Sequence, residues 1–159
     1  MNIVVQHNVG AILAPKLGSA FVSATAAGTG DATAVTGATI DRLDSNTGSL
    51  AGSAVVSFLF STTLAATKTL SIGSVYVYQS SDASTWDSTA YYTPTSPGVV
   101  ATGATGGSTV TGVSSFSVDL LLAKRYIRVV FTPDLSATGT DTATIVAEVT
   151  LAGFDRLPS

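Results

Sequence analysis

The chain has 159 residues, with seven Lys or Arg, ten Asp or Glu, one His and no Cys, for a formal net charge of −3. Without cysteine, disulfide staples, thiolate metal sites and thiol nucleophiles are excluded, and the slight negative charge argues against nucleic acid or an anionic membrane as a partner. Charged residues make up only 11% of the chain, so a folded monomer exposing about 7,000 Å² carries roughly one charge per 400 Å², and together with a mean hydropathy of +0.44 this favours a protein partly covered by partners over a free, Ser/Thr-coated secreted one.

The length suits one domain with one core, here a single β-sandwich over residues 1–159. Helix-forming polar residues are scarce, with one Glu and three Lys, while Thr and Val abound; β-branched residues suit strands. Residues 1–20 are apolar but irregular, interrupted by Gly10, Pro15 and Gly18. They read either as an arm lying on a neighbouring subunit or as an edge strand with its loop. Met1 to Asn8 lacks a basic n-region and Lys16 interrupts any apolar run, so the chain reads as made in the cytoplasm without a cleaved leader. No apolar stretch approaches the ~18 residues of a membrane span.

Short strands are expected at 3–6, 19–24, 39–43 and 99–102, and a Gly/Thr-rich loop at 26–37. Five segments alternate with period two. In 53–61, Ala54, Val56, Phe58 and Phe60 oppose Ser57 and Ser61. In 69–80, Val75 and Val77 oppose Tyr76 and Tyr78, so both faces carry apolar bulk. In 108–121, Phe116, Val118 and Leu120 oppose Ser117 and Asp119. In 124–132, Ile127, Val129 and Phe131 oppose Tyr126 and Arg128. In 141–151, Ala143, Ile145, Ala147, Val149 and Leu151 oppose Thr144, Glu148 and Thr150. Residues 93–98, with Pro94 and Pro97, read as a loop, and 103–108 as a tight turn through Gly106-Gly107. The total of eight or nine strands predicts an all-β, antiparallel jelly-roll or β-sandwich of about eight strands. An immunoglobulin-like sandwich is the alternative and needs fewer strands.

Chemistry-bearing motifs are scarce. His7 is the only histidine and builds neither a two-histidine metal site nor a triad. Asp44-Ser45-Asn46-Thr47-Gly48 has the wrong spacing for a calcium loop and reads as an Asx-type turn. Gly28-Thr29-Gly30 lacks the third glycine and the helix of a phosphate loop. Lys124, Arg125 and Arg128 are too few for a nucleic-acid groove. On a strand, Lys124, Tyr126 and Arg128 share a face, and these cations are expected to pair with carboxylates such as Asp119 or Glu148, a small anion site being the alternative. No nucleophile–base pair can be named, so no enzyme, cofactor or metal is expected.

Two motifs are familiar. Val77-Tyr78-Gln79-Ser80-Ser81-Asp82-Ala83-Ser84-Thr85-Trp86 resembles the strand–turn "S-x-D-G-x-T-W" element of discoidin-like jelly rolls, with Ala83 where glycine is common. Ala123-Lys124-Arg125-Tyr126-Ile127-Arg128-Val129 is similar to the "A-R-Y-I-R-I" strand of that class, and Val149-Thr150-Leu151-Ala152-Gly153 occupies the place of its closing strand. Over roughly the last 100 residues, these motifs and the terminal Gly-Phe-Asp-Arg-Leu-Pro in a short, cysteine-free chain resemble head decoration, or cement, proteins of tailed bacteriophages. The resemblance implies a structural virion protein on the capsid surface, made in the host cytoplasm. It would bridge capsomers by binding the major capsid protein and copies of itself, as a dimer or trimer. Tyr76, Tyr78, Trp86, Tyr91 and Tyr92 are the expected aromatic anchors or core residues, with Arg125, Tyr126 and Arg128 beside them. The alternatives are a carbohydrate- or receptor-binding jelly roll, rimmed by loops 93–98 and 103–108, and a minor tail or neck protein.

Overall fold

The computed structural model describes residues 12–44, 48–137 and 139–154; the strand expected at 3–6, His7 and the terminal Asp-Arg-Leu-Pro lie outside them. The described residues form ten strands: β1 (Ala14–Leu17), β2 (Val22–Thr25), β3 (Val35–Thr36), β4 (Ile40–Asp41), β5 (Ser53–Leu64), β6 (Thr69–Ser80), β7 (Gly98–Thr102), β8 (Ser108–Asp119), β9 (Tyr126–Leu135) and β10 (Thr142–Ala152). All pairings are antiparallel. One sheet runs β1-β10-β5-β8 with β2 also on β10, and the other β3-β9-β6-β7 with β4 also on β9. Ten strands thus fill eight lanes in jelly-roll order, because the first lane of each sheet is split in two.

Both splits have local causes. Between β1 and β2 the chain bulges: the amides of Gly18 and Ser19 both donate to the Ala147 carbonyl, at 2.7 and 3.1 Å, and Ser19 Oγ accepts from the Ala147 amide at 2.9 Å. Between β3 and β4, Gly37 lets the two sheets touch. A Cβ there would lie 2.3 Å from the Gly18 carbonyl oxygen and 2.5 Å from that of Val129, where the Ala38 amide donates to Gly18.

The five alternating segments bury the faces their patterns indicate. Val56, Phe58, Ile145, Ala147 and Val149 of one sheet meet Leu70, Ile72, Val77, Ile127, Val129 and Phe131 of the other, and Phe58 packs on Phe131 with ring centroids 4.9 Å apart. In β6 the buried parity changes from Leu70 and Ile72 to Val75 and Val77. The register slips there between Gly73 and Tyr76, with Ser74 at φ 46°; such a bulge shifts alternation by one residue.

The structure differs from expectation in places. The segment 26–37 is not all loop, since β3 pairs with β9. Asp31 pins the loop by accepting from the amides of Ala27 at 2.7 Å and Leu135 at 2.8 Å. β9 begins at Tyr126 rather than 124 and runs on through Pro133. Proline fits there because its open side faces this loop, with Ala32 donating to its carbonyl, rather than another strand. Residues 14–17, within the expected arm or edge strand, lie along β10 as an edge.

Candidate functional site

The residues singled out from the sequence fall in three places. The first is the outer face of the β6–β9 sheet, where Tyr78 stands directly opposite Arg128. The Arg128 guanidinium lies 4.2 Å from the Trp86 ring centroid and 5.8 Å from that of Tyr78, and Tyr76 packs beside Tyr78 at 6.0 Å. Trp86 reaches this face through a tight turn after β6. The Asp82 carboxylate accepts from the amides of Ser84 at 2.9 Å and Thr85 at 2.7 Å, which, with the Ser80 hydroxyl, hold its pKa far below the usual range. Ala83 takes the left-handed conformation at φ 65°, a region that glycine enters without a Cβ penalty.

The second place is the corner where β9 begins. Lys124 pairs with Asp87 at 2.5 Å, and Gln79 also donates to Asp87 at 3.0 Å. Arg125 grips Asp41 through two nitrogens, at 3.0 and 2.7 Å, and lies 5.0 Å from the Tyr126 ring centroid. Hydrogen bonding to these cations lowers the carboxyl pKa values of Asp41 and Asp87, and the Asp41 bond raises that of Arg125. The expected pairings with Asp119 and Glu148 are therefore corrected: both acids belong to the opposite sheet, on β8 and β10. Arg128 meets aromatic faces instead. Both ion pairs are well exposed and individually weak.

The third place is the side of the sandwich between β6 and β8. The Tyr91 and Tyr92 main chains bond to Val77, the Tyr91 hydroxyl donates to the Asp119 carbonyl at 3.0 Å, and the Tyr92 ring stacks on Phe116 at 6.2 Å. These two tyrosines tie one sheet to the other.

Three features escaped the sequence. Arg42 is only 2% exposed and donates to main-chain carbonyls of Ala51, Leu120, Ala123 and Lys124. Burial lowers its pKa. It thereby clamps the turn between β8 and β9, whose tip carries Leu121 and Leu122, 75% and 90% exposed. The turn is closed by the Ala123 amide on the Leu120 carbonyl at 3.0 Å and by the Leu121 amide on Asp119 Oδ1 at 2.9 Å. The signal in the sequence was Leu120-Leu121-Leu122, three apolar residues that break the alternation.

The last feature is the outer face of the β10–β5–β8 sheet. Val146, itself only 7% exposed, Leu59 and Val113 stand side by side across it, and Phe21, 72% exposed, joins Val146 and Leu59 in lining a shallow groove with Pro15, Lys16, Leu17 and Glu148. The rows on one side are Thr144–Ser61–Thr111 and Thr142–Thr63–Thr109, and on the other Glu148–Ser57–Ser115 and Thr150–Val55–Ser117. Glu148 is the one charge in these rows. Val55, Leu59 and Val113 sit at outward positions of otherwise polar strand faces, a pattern visible in the sequence once the parity is known.

Among the described residues no cluster of three His, Asp or Glu that could hold a metal is present. The fold is an all-β, two-sheet antiparallel sandwich. The chain matches no protein-family model, no curated protein and no solved structure.

Proposed function

We propose that the protein is a structural virion protein that binds the outside of a tailed-phage capsid and bridges capsomers, acting as a homo-oligomer on the major capsid protein. The observation that carries this reading is the nearly charge-free outer face of the β10–β5–β8 sheet. An apolar row bordered by Ser and Thr is easily desolvated, and contiguous apolar surface of this kind marks interaction sites. The rigid Leu121–Leu122 tip offers an anchor for an apolar pocket on a partner. The work is energetic: each joint buries on the order of 1,000–2,000 Å², and many repeated ties on one shell add through multivalency. Mass spectrometry of purified virions and empty heads tests the setting, together with heat and chelator challenge of heads lacking the protein. Absence from the particles, or unchanged head stability, defeats the proposal.

A carbohydrate-binding reading has one observation in its favour. Trp86, Tyr78 and Tyr76 with Arg128 form an aromatic and cationic cluster on the opposite sheet, the kind of platform on which sugar rings stack. A glycan array separates the two: binding that is lost in Trp86→Ala favours the sugar reading, and no signal removes it.

A further inference from the structure

We infer that β8 is a self-pairing edge, along which a second copy of this chain adds antiparallel about a two-fold axis at Val113. This gives the homo-oligomer its contact, and it rests on the capsid reading only for its setting. A bare sheet edge is a template for another strand, and proteins protect edges by shortening them or by placing proline, lysine or bulges there. The other edges are protected in this way. The β1/β2 lane carries Pro15 and Lys16 and is broken at Gly18. The β3 and β4 pieces are two residues each, and β7 has five. β8 has twelve residues, pairs only with β5 among the described strands, holds no proline and no charge before Asp119, and is met by Tyr91 and Tyr92 only toward its Phe116–Asp119 end.

Its chemistry is self-complementary. With Val113 opposite Val113 of the second copy, Thr111 faces Ser115 and Thr109 faces Ser117. The apolar row Val146–Leu59–Val113 then continues into the second copy, covering a Val113 that is 64% exposed in the single chain. Asp119, the one charge on the strand, lies six residues from the axis, so the two copies of it stand about 40 Å apart at ~3.4 Å per residue. A ladder of this length supplies on the order of ten main-chain hydrogen bonds, as many as an ordinary specific interface holds. The two-fold is perpendicular to the sheet, so the sparsely charged outer faces of both copies point the same way and present one doubled surface.

The test is the solution mass of the full chain by sedimentation equilibrium, beside Val113→Lys, Val99→Lys and Val113→Cys. Val99 is an equally exposed valine on the short β7 edge. Twice the 16.0 kDa subunit is expected for the wild type and Val99→Lys. Val113→Lys, which sets two cations face to face, should weaken the dimer at least tenfold, with circular dichroism showing an unchanged sheet. The chain has no other cysteine, so Val113→Cys should oxidise to a disulfide-linked dimer, since directly opposed antiparallel residues lie within disulfide reach. A monomer at all concentrations, a trimer, or a dimer indifferent to Val113→Lys overturns the inference. Absence of the protein from virions would remove the capsid reading and leave the pairing standing.

Discussion

Replacing Arg42 by methionine keeps most of the stem volume and removes every donor. In the wild type, Nε and Nη2 both reach the Ala51 carbonyl, Nη2 also reaches Leu120, and Nη1 reaches Ala123 and Lys124. Exchanging buried charges for apolar groups is often neutral when all partners are exchanged together. Here the partners are main-chain carbonyls, which no side-chain substitution removes. The buried Ala51 carbonyl loses both its Arg42 bonds, at about 1–3 kcal/mol; Leu120 keeps the Ala123 amide, and the Ala123 and Lys124 carbonyls are part-buried, so water replaces some of their loss. Relief of the desolvated guanidinium offsets part of the total, leaving about 2 kcal/mol. With an unfolding entropy of about 330 cal/mol/K for this length, Tm falls by about 6 °C. Arg42→Lys, a single point donor without the fork, should fall between. Calorimetry measures both variants, and hydrogen exchange at residues 120–124 should speed at least tenfold in Arg42→Lys as the Leu121–Leu122 tip loosens. A Met variant within about 2 °C of wild type would refute the claim that these carbonyls depend on Arg42.

Acid should destabilise the fold in a defined window. The carboxyl pKa values of Asp41, Asp82 and Asp87 are lowered, so near and below the unfolded value of about 3.9 the unfolded chain binds more protons than the folded one. Stability is then full above roughly pH 5 and declines as the pH drops through 4, and a urea titration of Asp82→Asn should show a flatter acid limb. Ala83→Gly relieves the left-handed strain at φ 65° and should stabilise by about 0.5–1 kcal/mol in denaturant melts. Gly37→Ala forces a Cβ to 2.3 Å from the Gly18 carbonyl oxygen and should cost about 2 kcal/mol or more. Replacing Leu121 and Leu122 by serine should leave stability within about 0.5 kcal/mol while reducing co-sedimentation with capsids at least tenfold; retained binding would remove the tip from the interface.

Much of the fold was legible because period-two alternation is a local property. Ala54, Val56, Phe58 and Phe60 on β5, and Ala143 to Leu151 on β10, declare their buried faces by sequence alone. The poor charge content was likewise readable, and with it the expectation of a covered surface. Long-range pairing was not legible. Register decides that Leu59 lies between Val146 and Val113, turning three scattered outward residues into one apolar row. Strand order decides that Lys124 and Arg125 meet Asp87 and Asp41 rather than acids of the opposite sheet. It also decides that Arg42, flanked in sequence by Asp41 and Asp44, is buried among carbonyls from segments far apart in the chain. Local alternation sets which side of each strand is apolar. Which of those sides meet, which edge the described strands leave unpaired and which leucines stand out into solvent follow from contacts between residues tens of positions apart.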